Sequence, residues 1–357
     1  MGHELITPSE RVPAINPERL RLPGGEYANK KTLQQLAFRA GLPVPEILTP
    51  AEMLELLDEG ERKKLKDPET FYRQNLSANY EFYVRGYNPH PVDMWAVDMY
   101  STASFYEESM YRHVKAYIEA SDNDPVLKKA FSDNFGITKL PKAECFIQRR
   151  VRGECRYISV WNRGRETFLT FQIRHDESSV NWMHFNGDYL VRCSPGFDFF
   201  TERDKEKILS ITDTATRVFN DALNGTGTKP DFEFKHDILM SSGEYYLIQS
   251  RIASEYTTEE KIKSDQDKIN TLKKRGILEI DCEIGKLGNL KNHNLDTPFI
   301  LHLTNNEHFG IGSMENIQLK NMAGLELPYG LSGGILAHQG YNVIAYALYW
   351  GLPIVFR

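Results

Sequence analysis

Two runs of alternating side chains, DFEFKHDILM and EYYLIQSRI, meet at Ser241-Ser242-Gly243. A period of two on both sides of a short glycine turn leaves few options other than an antiparallel hairpin. In such a hairpin alternate side chains share a face, so Glu233, Gln249 and Arg251 can converge on one groove. A carboxylate and an amide oxygen are hard ligands suited to Mg²⁺, and a guanidinium beside them suits a phosphate. The same pattern also describes a solvated sheet face with an ion pair, so the hairpin by itself leaves its chemistry open.

The rest of the chain supplies more strands and three helix-period stretches. EFYVRGY (81–87) and ECFIQRRV (144–151) alternate as strands, followed by CRYISVW and a further pair, FLTFQIRH and VNWMHFNGDYLVRC. SFYEESMYRHVKAYIEAS and DKEKILSITDTATRVFNDAL have helical spacing, and so does NKKTLQQLAFRAG after the Gly24-Gly25 turn; a further helix is expected from Thr49-Pro50. Residues 1–20 are polar and proline-dotted and read as an arm, and 256–292 is charge-rich and reads as a solvated helix and linker. The expected organisation is an arm (1–20), a two-lobed unit (21–255), a charged linker (256–292) and a small C-terminal unit (293–357).

With 357 residues, 41% of them hydrophobic, the chain is long enough for more than one core. A net charge of −6 argues against a general nucleic-acid binder. Cys145, Cys155, Cys193 and Cys282 lack the spacing of a zinc site or a disulfide framework, the N-terminus has no signal pattern, and VIAYALYWGLPIVF is too short to span a bilayer. A cytoplasmic protein without membrane or nucleic-acid partners is expected. The arginines at 149, 150, 152, 156, 163 and 165 read as a solvated strand edge, and His302 and His308 receive no role.

Four segments, in order, carry a resemblance. GGEYANKKTLQQLAFRAGLPVPEILT resembles the opening of the nucleotide-binding domain of the phosphoenolpyruvate synthase and pyruvate phosphate dikinase family; EFYVRGY, ECFIQRRV and DFEFKHDI with EYYLIQSR resemble its later strands and hairpin. The resemblance implies an α+β fold: a two-lobed ATP-grasp domain followed by a small α/β swivelling histidine domain. It implies ATP and Mg²⁺ as cofactors, with Arg85, Gln148 and Arg251 at the nucleotide and Glu233 and Gln249 on the metal. Glu26 stands where the family has its first lysine, and Lys30 or Lys31 is expected to take over that contact.

The C-terminal stretch GGILAHQGYNVIAYALYWGLPIVF keeps Gly333, Gly334, His338, Ala345, Gly351 and Pro353 at the spacing of the family's phosphohistidine signature, with Leu336-Ala337 before the histidine. A neutral imidazole is a competent nucleophile for phosphoryl transfer, and a helix N-terminus favours the arriving charge. The implied activity is an ATP-dependent dikinase-type phosphotransferase acting through His338 on a small-molecule acceptor. The acceptor site is expected on the small domain, in the cleft or on a partner protein. The alternatives are an ATP-grasp ligase or direct kinase without a phosphohistidine, and a non-catalytic nucleotide-binding module.

Overall fold

The computed structural model of the protein describes residues 11–48, 82–87, 89, 132, 135–139, 144–149, 151, 155–173, 181–194, 200–224, 232–283, 295–304, 319–328 and 338–357. The helices expected at 104–121 and from Thr49 lie outside these residues. The fold is mixed α+β, with three sheets among the described residues. Helix α1 (Lys30–Arg39) begins where Asn29 accepts hydrogen bonds from the N–H groups of Lys31 and Thr32 while Thr32 Oγ1 accepts from Asn29 N–H, a reciprocal cap. Strands β1 (Ile47–Leu48), β2 (Phe82–Tyr87) and β3 (Glu144–Arg149) form an antiparallel sheet in the order β1-β3-β2.

The second sheet has six antiparallel strands: β4 (Cys155–Arg163), β5 (Glu166–Ile173), β6 (Asn181–Asn186), β7 (Tyr189–Cys193), β8 (Phe232–Ser241) and β9 (Glu244–Glu255), in the order β7-β6-β5-β4-β8-β9. Ser242 and Gly243 both have positive φ, 51° and 78°, which is the backbone a two-residue hairpin turn needs. Helix α2 (Glu202–Asn224) buries Ile208, Thr212, Ala215 and Phe219, a stripe at i, i+4, i+7 and i+11. Its Asn220 amide pairs with both the N–H and the carbonyl of Phe232 and so anchors the start of β8.

The third sheet is parallel. Helix α3 (Glu259–Lys274) leads into β10 (Leu278–Glu283), β11 (Phe299–Thr304) and β12 (Met322–Leu327), and helix α4 (His338–Tyr349) crosses over to β13 (Ile354–Phe356), in the order β10-β11-β12-β13. Parallel strands are covered on both faces, which accounts for the near-continuous apolar run of β11. On one face Ile269 and Leu272 of α3 meet Ile300 and Val355. The approach is close: a Cβ on Gly324 would fall 2.3 Å from Ile269 Cδ1. The stretch 256–292, expected as a charged linker, thus holds a helix with a buried stripe and a strand of this sheet.

The parallel sheet and the six-stranded sheet share one continuous hydrophobic core, running from Leu33 and Val160 through Phe219 and Phe234 to Leu325, Val343 and Tyr349. Phe356 of β13 packs on Trp161 and Phe168, with ring centroids 5.7 and 4.4 Å apart. Arg163, expected on a solvated edge, is buried; its guanidinium donates to Asp265 of α3 (2.8 Å) and to the Ile354 carbonyl of β13 (3.0 Å). The arm expected over 1–20 is, in its described part, packed down: Ile15 and Leu20 are buried, Ala14 N–H donates to the Tyr349 carbonyl, and Arg11 donates to Met322 O and Tyr346 Oη. No helix among the described residues is long and apolar enough to cross a membrane.

Candidate functional site

Register decides which hairpin residues meet. Across β8 and β9, Lys235 pairs with Arg251 and Asp237 with Gln249, while Glu233 lies opposite Ser254. Direct cross-strand partners share a face, so Lys235, Asp237, Gln249 and Arg251 form one polar set. The Lys235 ammonium is 3.3 Å from Asp237 Oδ1, and Ser159 of the adjoining strand β4 donates to the same oxygen at 2.7 Å. In the orientation its neighbours demand, the Gln249 amide oxygen accepts from the Arg251 guanidinium. Lys235, Gln249 and Arg251 are buried, and Asp237 is the most open member. Lys235 and Arg251 thus stand beside Asp237 and Gln249 in one largely buried polar group.

Two other elements border this set. Helix α1 lies along the outer edge of β9, where the Gln34 amide, once oriented for hydrogen bonding, donates to the Leu247 carbonyl (3.1 Å) and accepts from Gln249 N–H (3.0 Å). Pro43 O takes the Leu247 N–H, so the polar edge of β9 is capped by side chain and loop. Lys30 is one turn before Gln34 on the same helix face and is buried; Lys31 Nζ stands 6.0 Å from the Tyr87 ring at the end of β2. Gln148 on β3 is buried and donates to Ile248 O at 3.2 Å, which joins the small antiparallel sheet to β9. Gln148 thus reaches the β9 backbone, Gln249 contacts Arg251, and Lys30 lies on the helix that borders β9. Arg85 is on β2, paired with Phe146, and its side chain lies outside the described residues.

Glu233 is elsewhere engaged. Its Oε1 accepts from Gly164 N–H (2.5 Å) and Thr257 N–H (2.8 Å), and its Oε2 accepts from Ser254 Oγ (2.7 Å) and Thr257 Oγ1 (2.9 Å). Burial pushes this carboxyl up from its ordinary range, while the four donors pull it the other way. The residue ties the β4–β5 turn to the chain after β9. That turn needs glycine, because Gly164 has φ +61° and a Cβ there would lie 2.3 Å from Thr257 O. Its two oxygens take these four hydrogen bonds, and the carboxylate directly opposite Gln249 is that of Asp237. Sequence alternation places 233, 235 and 237 on one face equally well; bulges after Glu233 and Asp237 set the register. Glu233→Gln is expected to cost about 2 kcal/mol of stability, since an amide N–H₂ must then face a buried donor. Its Mg²⁺-ATP affinity is expected to match wild type; denaturant unfolding and calorimetry check the two halves.

On the other face of the hairpin, His236 is fully buried, with Nδ1 2.9 Å from Ser250 Oγ and Nε2 2.9 Å from Thr216 Oγ1 of α2. Burial, only partly opposed by the Asp237 charge, pushes its pKa down to about 3, so it stays neutral. This chain of hydrogen bonds braces the strands that carry the polar set. His338 is the first residue of α4, the helix end that the glycine-histidine spacing predicts; its side chain and the glycines at 333 and 334 lie outside the described residues.

No protein-family model matches the chain, and no curated protein matches its sequence. Distant likenesses occur among solved structures. D-alanine–D-alanine ligase from Bacillus anthracis, complexed with ATP, is 10% identical over 62% of this chain and 54% of that one, with a TM-score of 0.32. L-amino acid ligase from Bacillus licheniformis is 10% identical over 66% of this chain and 43% of that one, with a TM-score of 0.33. The dinucleotide-forming acetyl-coenzyme A synthetase 1 of Ca. Korarchaeum cryptofilum is 11% identical over 64% of this chain and 93% of that one, with a TM-score of 0.30. The chain spans about half the length of the D-alanine–D-alanine ligases it resembles. Likenesses this distant decide nothing about activity.

Proposed function

We propose that the protein is an ATP-dependent enzyme of ATP-grasp type that passes the terminal phosphoryl group of ATP directly to an acceptor, as a ligase or kinase, and releases ADP. The observation that carries this reading is the cross-strand set of Lys235 with Arg251 and Asp237 with Gln249, bordered by Lys30 on α1 and Gln148 on β3. Phosphoryl transfer asks a protein mainly to position oxygens and neutralise charge, and two buried cations beside a carboxylate–amide pair supply those means. Arg251 and Lys235 are assigned to phosphate oxygens. The donor set also offers Mg²⁺ a hard oxygen from Asp237, the most open member, with Ser159 orienting the carboxylate. Bound there, the ion would neutralise phosphate charge.

The dikinase reading requires the histidine-bearing unit to detach and swing. Here that unit shares a core with the six-stranded sheet and is tied to it by the buried Arg163–Asp265 pair. Detachment would also expose more of the partly buried Phe356, a side chain whose full burial is worth about 1.5–3 kcal/mol. This packing supports direct transfer over a phosphohistidine relay. The test is to incubate wild type and His338→Ala with Mg²⁺ and ATP labelled at the β or the γ position, together with amino-acid and carboxylate acceptors. ADP from both proteins is expected; AMP and acid-labile label on wild type alone would restore the relay. Asp237→Asn is expected to weaken Mg²⁺-ATP binding about tenfold or more, and unchanged affinity would remove the metal assignment.

A further inference from the structure

A second polar cluster lies on the α3 face of the parallel sheet, built from three neighbouring strands. Glu279 on β10, His302 on β11 and Glu326 on β12 each place one ligand atom within 4.8 Å of the other two. The arrangement follows from register: Asp281, His302 and Glu326 are successive cross-strand partners, and Glu279 sits diagonally beside His302. His302 is 2% exposed, with Phe299, Ile300, Leu301 and Leu303 of the same strand buried around it in the chain. Its Nε2 is 2.9 Å from Glu279 Oε2, and its Nδ1 contacts Glu326 Oε2, yet neither nitrogen has the alignment of a hydrogen bond.

That misalignment is informative. A buried imidazole with neither nitrogen in an aligned hydrogen bond is costly, and the two carboxylates beside it favour a cation. The two carboxylates flank opposite nitrogens of the ring, and one ligand atom of each residue lies within 4.8 Å of the others, a spacing that one cation can gather. We propose that Glu279, His302 and Glu326 bind a divalent transition-metal ion, with Zn²⁺ the best match to one imidazole and two carboxylates. Glu279 is 46% exposed, so the ion would be reached from solvent on that side and can keep a water ligand.

The cluster also holds a built-in competitor. Lys273, at the end of α3, places its ammonium 2.9 Å from Glu326 and 3.4 Å from Glu279, and Arg357 lies 3.5 Å from Glu326. Lys273 is 31% exposed and can swing out to water, so metal and ammonium exchange for the same carboxylates. The cluster is separate from the Asp237 set and requires no nucleotide.

The metal-free full chain is titrated with Co²⁺, whose visible absorption reports imidazole and carboxylate ligation, and Zn²⁺ is then added as competitor. One Co²⁺ per chain, displaced by Zn²⁺, is expected. Glu279→Gln should weaken the site about tenfold or more, and Lys273→Met should tighten it several-fold by removing the competing charge. Both residues are partly exposed, so both variants are expected to fold even where a His302 replacement does not. Absence of a visible band in wild type and Lys273→Met alike, which means an ion network only, overturns the proposal. Equal affinity in all three proteins does too, and so does a signal abolished by Asp237→Asn.

Discussion

Arg163→Ala is expected to lower stability by about 3–5 kcal/mol, because it strands a buried carboxylate and a carbonyl together. Asp265 is 1% exposed and Arg163 5%, and the guanidinium reaches both Asp265 and the Ile354 carbonyl. Lys261 is the other partner of Asp265, and its side chain is 44% exposed. Once Arg163 is gone, Asp265 keeps one partner that water already screens, and β13 loses the donor that fixes its edge. The shared apolar core, with Phe356 on Trp161 and Phe168, then has to hold the two sheets together without that pair. The double variant Arg163→Met with Asp265→Leu should regain most of the loss, since neither charge is left buried. Denaturant unfolding followed by tryptophan fluorescence reads the stability, and limited proteolysis reads release of the C-terminal unit. A loss under about 1 kcal/mol, the scale of an exposed pair, would show that the pair does not join the sheets.

The second large effect is on acid stability. His236 has an ordinary pKa of 6.5 and is pushed down to about 3 by burial. The unfolded chain therefore binds a proton below pH 6.5 that the folded chain refuses until about pH 3. Unfolding is favoured wherever the unfolded state binds more protons, so stability is full above pH 6.5 and falls as pH drops through that window. The slope from this residue is about 1.4 kcal/mol per pH unit, which amounts to about 2 kcal/mol by pH 5. His236→Gln should be less stable than wild type at pH 7, where it loses the fit between Ser250 and Thr216, and flatter between pH 6.5 and 5. Parallel slopes for the two proteins over that range would remove His236 as the source.

Local signals in the chain were legible because they act over a few residues. Asn29 with Thr32 caps α1, Ser242-Gly243 turns the hairpin, and the stripe from Ile208 to Phe219 marks α2. The convergence of Gln249 and Arg251 was legible too, since strand period alone puts them on one face. Alternation gives a face and not a register, so Glu233 and Asp237 are equivalent in the sequence, and the bulges that set which of them lies opposite Gln249 leave no mark in composition. Arg163 and His302 were hidden for a related reason. A charged residue on a strand reads as solvent-facing until a partner from a distant segment, here Asp265 or Glu326, is known to cover it.

The amino-acid sequence by itself determined the elements and their faces: hairpins from period two and glycine turns, helices from caps and apolar stripes, and an α+β class from their mixture. These are properties of neighbours in the chain, set by backbone geometry within a few residues. Tertiary structure alone decided that Asp237 meets Gln249, that β10 to β13 run parallel between α3 and α4, and that Glu279, His302 and Glu326 meet on one face. Those outcomes depend on register and on burial between segments tens of residues apart, where the balance of desolvation against pairing is settled only once the chain has closed.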